Sequence, residues 1–144
     1  MAAQELKPGT WNIDGAHSIV GFSVRHMMVS KVRGRFETFH ATLTVPEDPT
    51  QASVTATIDA GSINTDNGDR DNHIRSADFF DVDTHPQFTF RSTGVEAKGE
   101  DFVLKGDLTI KGNTRPIELE LEFNGSTVDP YGLDRAGFAG STKI

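Results

Sequence analysis

Histidine is the side chain best suited to moving protons near neutral pH or to holding a metal, and this chain has five: His17, His26, His40, His73 and His85. None falls in an HExxH pattern, no two stand one helical turn apart, and there is no cysteine to join them. The spacing therefore nominates no zinc site. An Asp-rich stretch surrounds Gly68, but with that glycine at position six of a calcium loop, Ile63 would stand first and Ile74 last. Neither can ligate calcium. No Gly-rich phosphate loop follows a strand and no GxSxG elbow occurs, while Ser18 beside His17 would point to the opposite face of a strand. For acid–base work the candidates are His17 and His73 with Asp14 or Asp71, which would have to meet within hydrogen-bond reach at one end of a cavity. An enzyme acting on a hydrophobic substrate is the alternative reading that these residues leave open. The other cluster is basic: Arg25, Lys31, Arg33 and Arg35, with no acid between Arg25 and Glu37. It reads either as a solvated edge that discourages strand addition or as a rim that attracts an anionic or carbonyl-bearing head group.

The chain as a whole is acidic, with 14 Lys and Arg against 21 Asp and Glu and a net charge of -7. That charge repels phosphate backbones and anionic lipid surfaces at long range, which argues against nucleic acid as a partner. A length of 144 residues fits a single domain, 1–144, around one core. Ten Phe and a hydrophobic share of 35% exclude a disordered tail, and no run of roughly 20 apolar residues is present to cross a membrane as a helix. Without cysteine there is no disulfide scaffold. Residues 1–8 lack an apolar signal core, so the expected location is the cytoplasm, or the periplasm or exterior if a signal has been removed.

The elements that must position these residues are strands. Val20, Phe22 and Val24 alternate with Gly21, Ser23 and Arg25, and the same period of two returns at Phe39 to Val45, Val54 to Ala60 and Phe102 to Ile110. It is clearest where Ile117, Leu119, Leu121 and Phe123 alternate with Glu118, Glu120 and Glu122. Turn residues at 46–49, 61–64, 98–101, 111–114 and 129–132 separate the runs, which describes an antiparallel meander. Phe36 and Phe39 fall out of phase, as do Phe90 and Val95 across Gly94, so both strands should bend or bulge. Residues 26–33 break the alternation and read as a helical turn or lid. Residues 66–80 read as one helix, capped by Asp66 or Asn67, with Ile74 and Ala77 inward. Small residues at Ala41, Ala56 and Gly106 favour a cavity over a filled interior.

In order along the chain, Asp14-Gly-Ala-His-Ser-Ile-Val-Gly-Phe22, His26, Gly34-Arg-Phe36, Arg70-Asp-Asn-His-Ile-Arg-Ser-Ala-Asp-Phe-Phe80, Pro86-Gln-Phe-Thr-Phe90, Gly106-Asp-Leu-Thr-Ile-Lys-Gly112, Thr114-Arg-Pro116 and Arg135-Ala-Gly-Phe138 resemble the YceI-like polyisoprenoid-binding family. The resemblance implies an all-β fold, a lipocalin-like extended antiparallel barrel with one short helix between strands. Its tunnel would take a polyisoprenoid, an isoprenoid quinone or a fatty-acid derivative for binding, sequestration or transport, with no cofactor besides that lipid and no catalytic residue. Val20, Phe22, Val24, Ile58, Phe88, Phe90, Leu104, Leu108, Leu119 and Leu121 would line the tunnel. His17, Arg25, Arg70 and His73 are the candidates for the head-group end, with Arg70 and His73 alternatively tying the helix to the barrel. On the enzyme reading, His17 and His73 would act on an isoprenoid-type substrate instead.

The resemblance also implies eight strands, whereas seven are legible, and the C-terminal closing strand is missing from the pattern. Two expectations follow from that open seam: a homodimer paired across it, or a longer natural chain that supplies the strand.

Overall fold

Alternating apolar residues produce ten strands in the computed structural model, which describes residues 7–26, 30–48, 51–99, 101–128 and 130–142. They are β1 (Gly9–Asn12), β2 (Val20–His26), β3 (Ser30–Phe36), β4 (Phe39–Val45), β5 (Ser53–Asp59), β6 (Ile63–Asn64), β7 (Gln87–Lys98), β8 (Asp101–Ile110), β9 (Asn113–Val128) and β10 (Asp134–Ser141). One sheet has the order β1-β4-β5-β7-β8-β9-β10 and a smaller one the order β2-β3-β6, with every pair antiparallel. The small sheet is a continuation of the large one across kinks. β3 runs on into β4 through Glu37 and Thr38, and β5 runs on into β6 through a 3-10 turn at Ala60–Ser62. Backbone bonds carry the pairing across the break: Glu37 N–H donates to the Ser62 carbonyl at 3.1 Å, and Asp59 N–H to that of Thr38 at 2.9 Å. The seven expected strands are therefore present, two of them interrupted, with β1 as an additional strand, and the bend implied by Phe36 and Phe39 lies between β3 and β4.

The second expected irregularity is a bulge in β7, where Ser92 faces Gly106 but Gly94 already faces Lys105. Another lies in β9, where Ala136 faces Ser126 and Phe138 faces Phe123, beside Gly125 at a φ of 100°. Bulges increase local twist, and the sheet curls into a half-barrel. No ladder joins β10 to β1 among the described residues.

Two expectations are corrected. Residues 30–33 are strand, not helical turn or lid, because Lys31 to Phe36 alternates and pairs with β2 along its length; residues 27–29 lie outside the described residues. The helix α1 spans Gly68–Arg75 rather than 66–80. Asn67 caps it, accepting from Arg70 N–H at 3.0 Å. It stops at Ser76, whose N–H and hydroxyl both donate to the His73 carbonyl, at 3.1 and 2.6 Å.

The helix covers one end of the apolar face. Phe36, Ala60, Ile63 and Phe88 are buried there, packed by Val20, Phe22, Ile58, Ile74, Phe80, Val82 and Ile110. Ring centroids lie 5.5 Å apart for Phe22 and Phe36, 5.4 Å for Phe36 and Phe88, and 5.0 Å for Phe80 and Phe88. Each such ring contributes roughly 1.5–3 kcal/mol by burial, so this plug anchors the curled sheet.

Candidate ligand-binding groove

Register decides which side chains share a face, since residues opposite one another in a ladder project the same way. One row runs Phe39, Ile58, Phe88; the next runs Ala41, Ala56, Phe90, Leu108; further along come Val95, Leu104, Leu119 and then Ala97, Phe102, Leu121. The opposite face of β9 carries Glu118, Glu120 and Glu122, all exposed. Charge pairs lie on this outer side: Lys98 at the end of β7 reaches Glu120 of β9 at 3.6 Å, and Lys105 of β8 donates to Glu96 of β7 at 2.9 Å. The hydrogen bond to Glu96 holds the Lys105 ammonium above its ordinary pKa.

The ten residues nominated for a tunnel divide by depth. Val20, Phe22, Ile58 and Phe88 belong to the packed plug. Phe90 and Leu104 are buried, while Leu108, Leu119 and Leu121 on the same face are only half-buried. Val24 is 55% exposed, on the part of β2 that projects past the plug. Phe102, Ile117 and Phe123, which were not nominated, are half-buried on the same stripe; their parity with Leu104 and Leu119 was the available signal. Past the plug, then, the chain carries an apolar stripe that its own side chains leave partly uncovered. At the β7–β8 hairpin end lies a cleft of about 530 Å³, with Phe102, Leu121 and Ala139 of β10 as its apolar part and Lys98, Asp101, Glu120 and Glu122 around them.

Gly106 does not open space, contrary to the expectation from its size. A Cβ there would stand 2.4 Å from Phe90 Cζ and 2.6 Å from the Arg91 carbonyl oxygen, so the Phe90 ring already fills the position. Gly34 is the same case under Phe22, whose Cζ lies 2.5 Å from where a Cβ would be.

The polar candidates fall into two groups with separate partners. Around α1, Arg70 donates from Nε to Thr65 Oγ1 and from Nη2 to the Thr65 carbonyl, both at 2.8 Å. Asp71 is buried and its Oδ1 accepts from Thr65 N–H at 3.0 Å and from Oγ1 at 2.6 Å. Arg75, which spacing alone did not single out, donates to the carbonyls of Gly61 at 2.8 Å and Ile63 at 3.0 Å. These three tie the helix to the segment that runs from the kink at Gly61 through β6 to Thr65. His73 is 60% exposed and lies 3.3 Å from Asp78 Oδ2.

At the other group, His17 Nδ1 lies 2.8 Å from Asp14 Oδ2, and Arg135 Nη1 donates to that same oxygen at 2.9 Å. The hydrogen bond to His17 lowers the Asp14 pKa, aided by the Ala16 N–H and by Arg135. Of the acid–base candidates His17 and Asp14 therefore meet, but on a loop where the His17 side chain is 82% exposed. Neither His73 nor Asp71 joins them. What this pair does hold is the seam: Asp14 follows β1 and Arg135 lies on β10, so their contact links the two ends of the curled sheet. The Arg25 side chain lies outside the described residues.

The chain and its fold match known proteins. A YceI-like domain model matches residues 11–144. The chain belongs to the YceI-like family. Protein YceI of Escherichia coli is 41% identical over 132 residues, which cover 91% of this chain and 69% of that protein. The solved YCEI protein of Campylobacter jejuni superimposes with a TM-score of 0.70 at 32% identity, covering 88% of this chain and 75% of that one. A polyisoprenoid binding domain from Saccharophagus degradans shares the fold at a TM-score of 0.57 and 17% identity, over 81% of this chain and 68% of that one. The fold of this chain is thus the all-β YceI-like barrel architecture, with its short helix in place.

Proposed function

We propose that this YceI-like chain binds a long apolar molecule, a polyisoprenoid, an isoprenoid quinone or a fatty-acid derivative, along the apolar stripe of β7, β8 and β9, and that it sequesters or carries it. The observation that carries the reading is the half-burial of Phe102, Leu108, Ile117, Leu119 and Leu121 on one face while Glu118, Glu120 and Glu122 occupy the other. Apolar surface left partly uncovered in this way favours an apolar occupant by about 0.8 kcal/mol for each CH₂ removed from water. The polyisoprenoid binding domain of Saccharophagus degradans lends support, because it shares this fold. Specificity then rests on groove length and shape, and the helix-end plug sets where the chain must stop.

A fluorescent long-chain fatty acid tests the proposal. The protein should bind it saturably, and Leu119→Asp, which sets a carboxylate on the stripe at a half-buried position, should weaken binding by about tenfold or more while thermal unfolding stays cooperative. Absence of saturable binding, or equal binding by the variant, would overturn it.

A further inference from the structure

The β2–β3 hairpin is amphipathic across its two faces. In its ladder Val20 faces Phe36, Phe22 faces Gly34 and Val24 faces Val32, while on the alternate rungs Gly21 faces Arg35, Ser23 faces Arg33 and Arg25 faces Lys31. The apolar rungs lead into the plug through the Phe22–Phe36 and Phe36–Phe88 ring contacts. The alternate rungs carry four of the 14 basic residues of an acidic chain and no acid. β6 pairs only with Arg35 and Phe36, so from Gly34 outward the hairpin stands as a two-stranded ribbon. Arg35 is balanced by Glu37 at 3.5 Å and Asp66 at 3.7 Å. Lys31 and Arg33 are exposed and make no ion pair among the described residues.

We propose that this basic ribbon docks the protein on an anionic lipid surface. A free edge needs charge of either sign to discourage strand addition; a face of uniform positive sign in a chain of net charge -7 matches an extended negative partner. The net charge acts at range, whereas at contact, within a Debye length of about 8 Å, only the facing residues count. The acidic remainder is repelled, so the ribbon is the orientation in which the protein can approach. Val24 and the other apolar rungs stand on the opposite face of the ribbon, which leads inward to the plug. Docking itself requires only these charges; its use in loading an apolar chain rests on the function proposed above.

Co-sedimentation with vesicles tests this, using phosphatidylcholine alone and phosphatidylcholine with about a third phosphatidylglycerol. The protein should pellet with the anionic vesicles only, and lose that binding when salt is raised to about 0.5 M. Lys31→Glu with Arg33→Glu should reduce partition about tenfold or more, while Arg91→Glu with Lys105→Glu, which changes net charge equally on another face, should retain most of it. Thermal unfolding of each variant checks the fold, and fatty-acid binding in solution is measured separately. Loss of vesicle binding with solution binding intact is the expected result for the ribbon variant. Equal partition onto both vesicles, no partition at low salt, equal loss in both double variants, or binding to duplex DNA in place of vesicles would overturn the proposal.

Discussion

Gly106 is held at its position by the ring of Phe90, whose Cζ would lie 2.4 Å from any Cβ. Gly106→Ala should therefore destabilise the fold by about 1–3 kcal/mol, read as a fall in the thermal midpoint. The sequence marked Gly106 as small but gave no means of knowing that a neighbouring ring fills the gap, because that depends on a diagonal contact between β7 and β8. Asp14 has the same character: its partner Arg135 is 121 residues away, beyond any local spacing rule. Its lowered pKa gives a pH signature. A carboxylate whose folded pKa lies below the ordinary 3.8 adds stability above that value and loses it as pH falls through the folded value. The difference in midpoint between the parent and Asp14→Asn should accordingly be present at neutral pH and close on acidification below 3.8. A difference that stays constant with pH would contradict the role given to the His17 hydrogen bond.

At the scale of elements, β4, β5, β8 and β9 were legible because one face is apolar and the other wet, the condition under which a period of two appears. β3 was not, since Met27, Met28 and Val29 precede it without alternation and hide the rhythm of Lys31 to Phe36. The helix was legible by its cap and shortened by Ser76, which closes on His73. Its docking was only half legible: Arg70 and His73 were foreseen as possible staples, but the work is shared by Arg70, Asp71 and Arg75. Removing the Asp71 carboxylate leaves the buried Thr65 N–H and hydroxyl without their acceptor. Asp71→Ala should thus cost about 1–3 kcal/mol, and amide hydrogen exchange should rise at β6 and α1 ahead of β8 and β9. Uniform exchange across the molecule would show instead that the helix is not a separately stapled element.

For the molecule as a whole, the strand meander, the bends and the family resemblance were readable from one sequence, while the division of the apolar face into a packed plug and a partly uncovered stripe was not. Both parts have the same alternation; they differ in whether β2, α1 and the turn after it pack over them, and that is a consequence of long-range docking. The central claim is that this uncovered stripe is the seat of a long apolar ligand. Native mass spectrometry of freshly purified protein, followed by lipid extraction of the same sample, tests it most directly. The account predicts an adduct of isoprenoid or fatty-chain type that is depleted in Leu119→Asp. Protein that emerges free of any such adduct, and that also fails to take up a long-chain lipid when one is supplied, would contradict it.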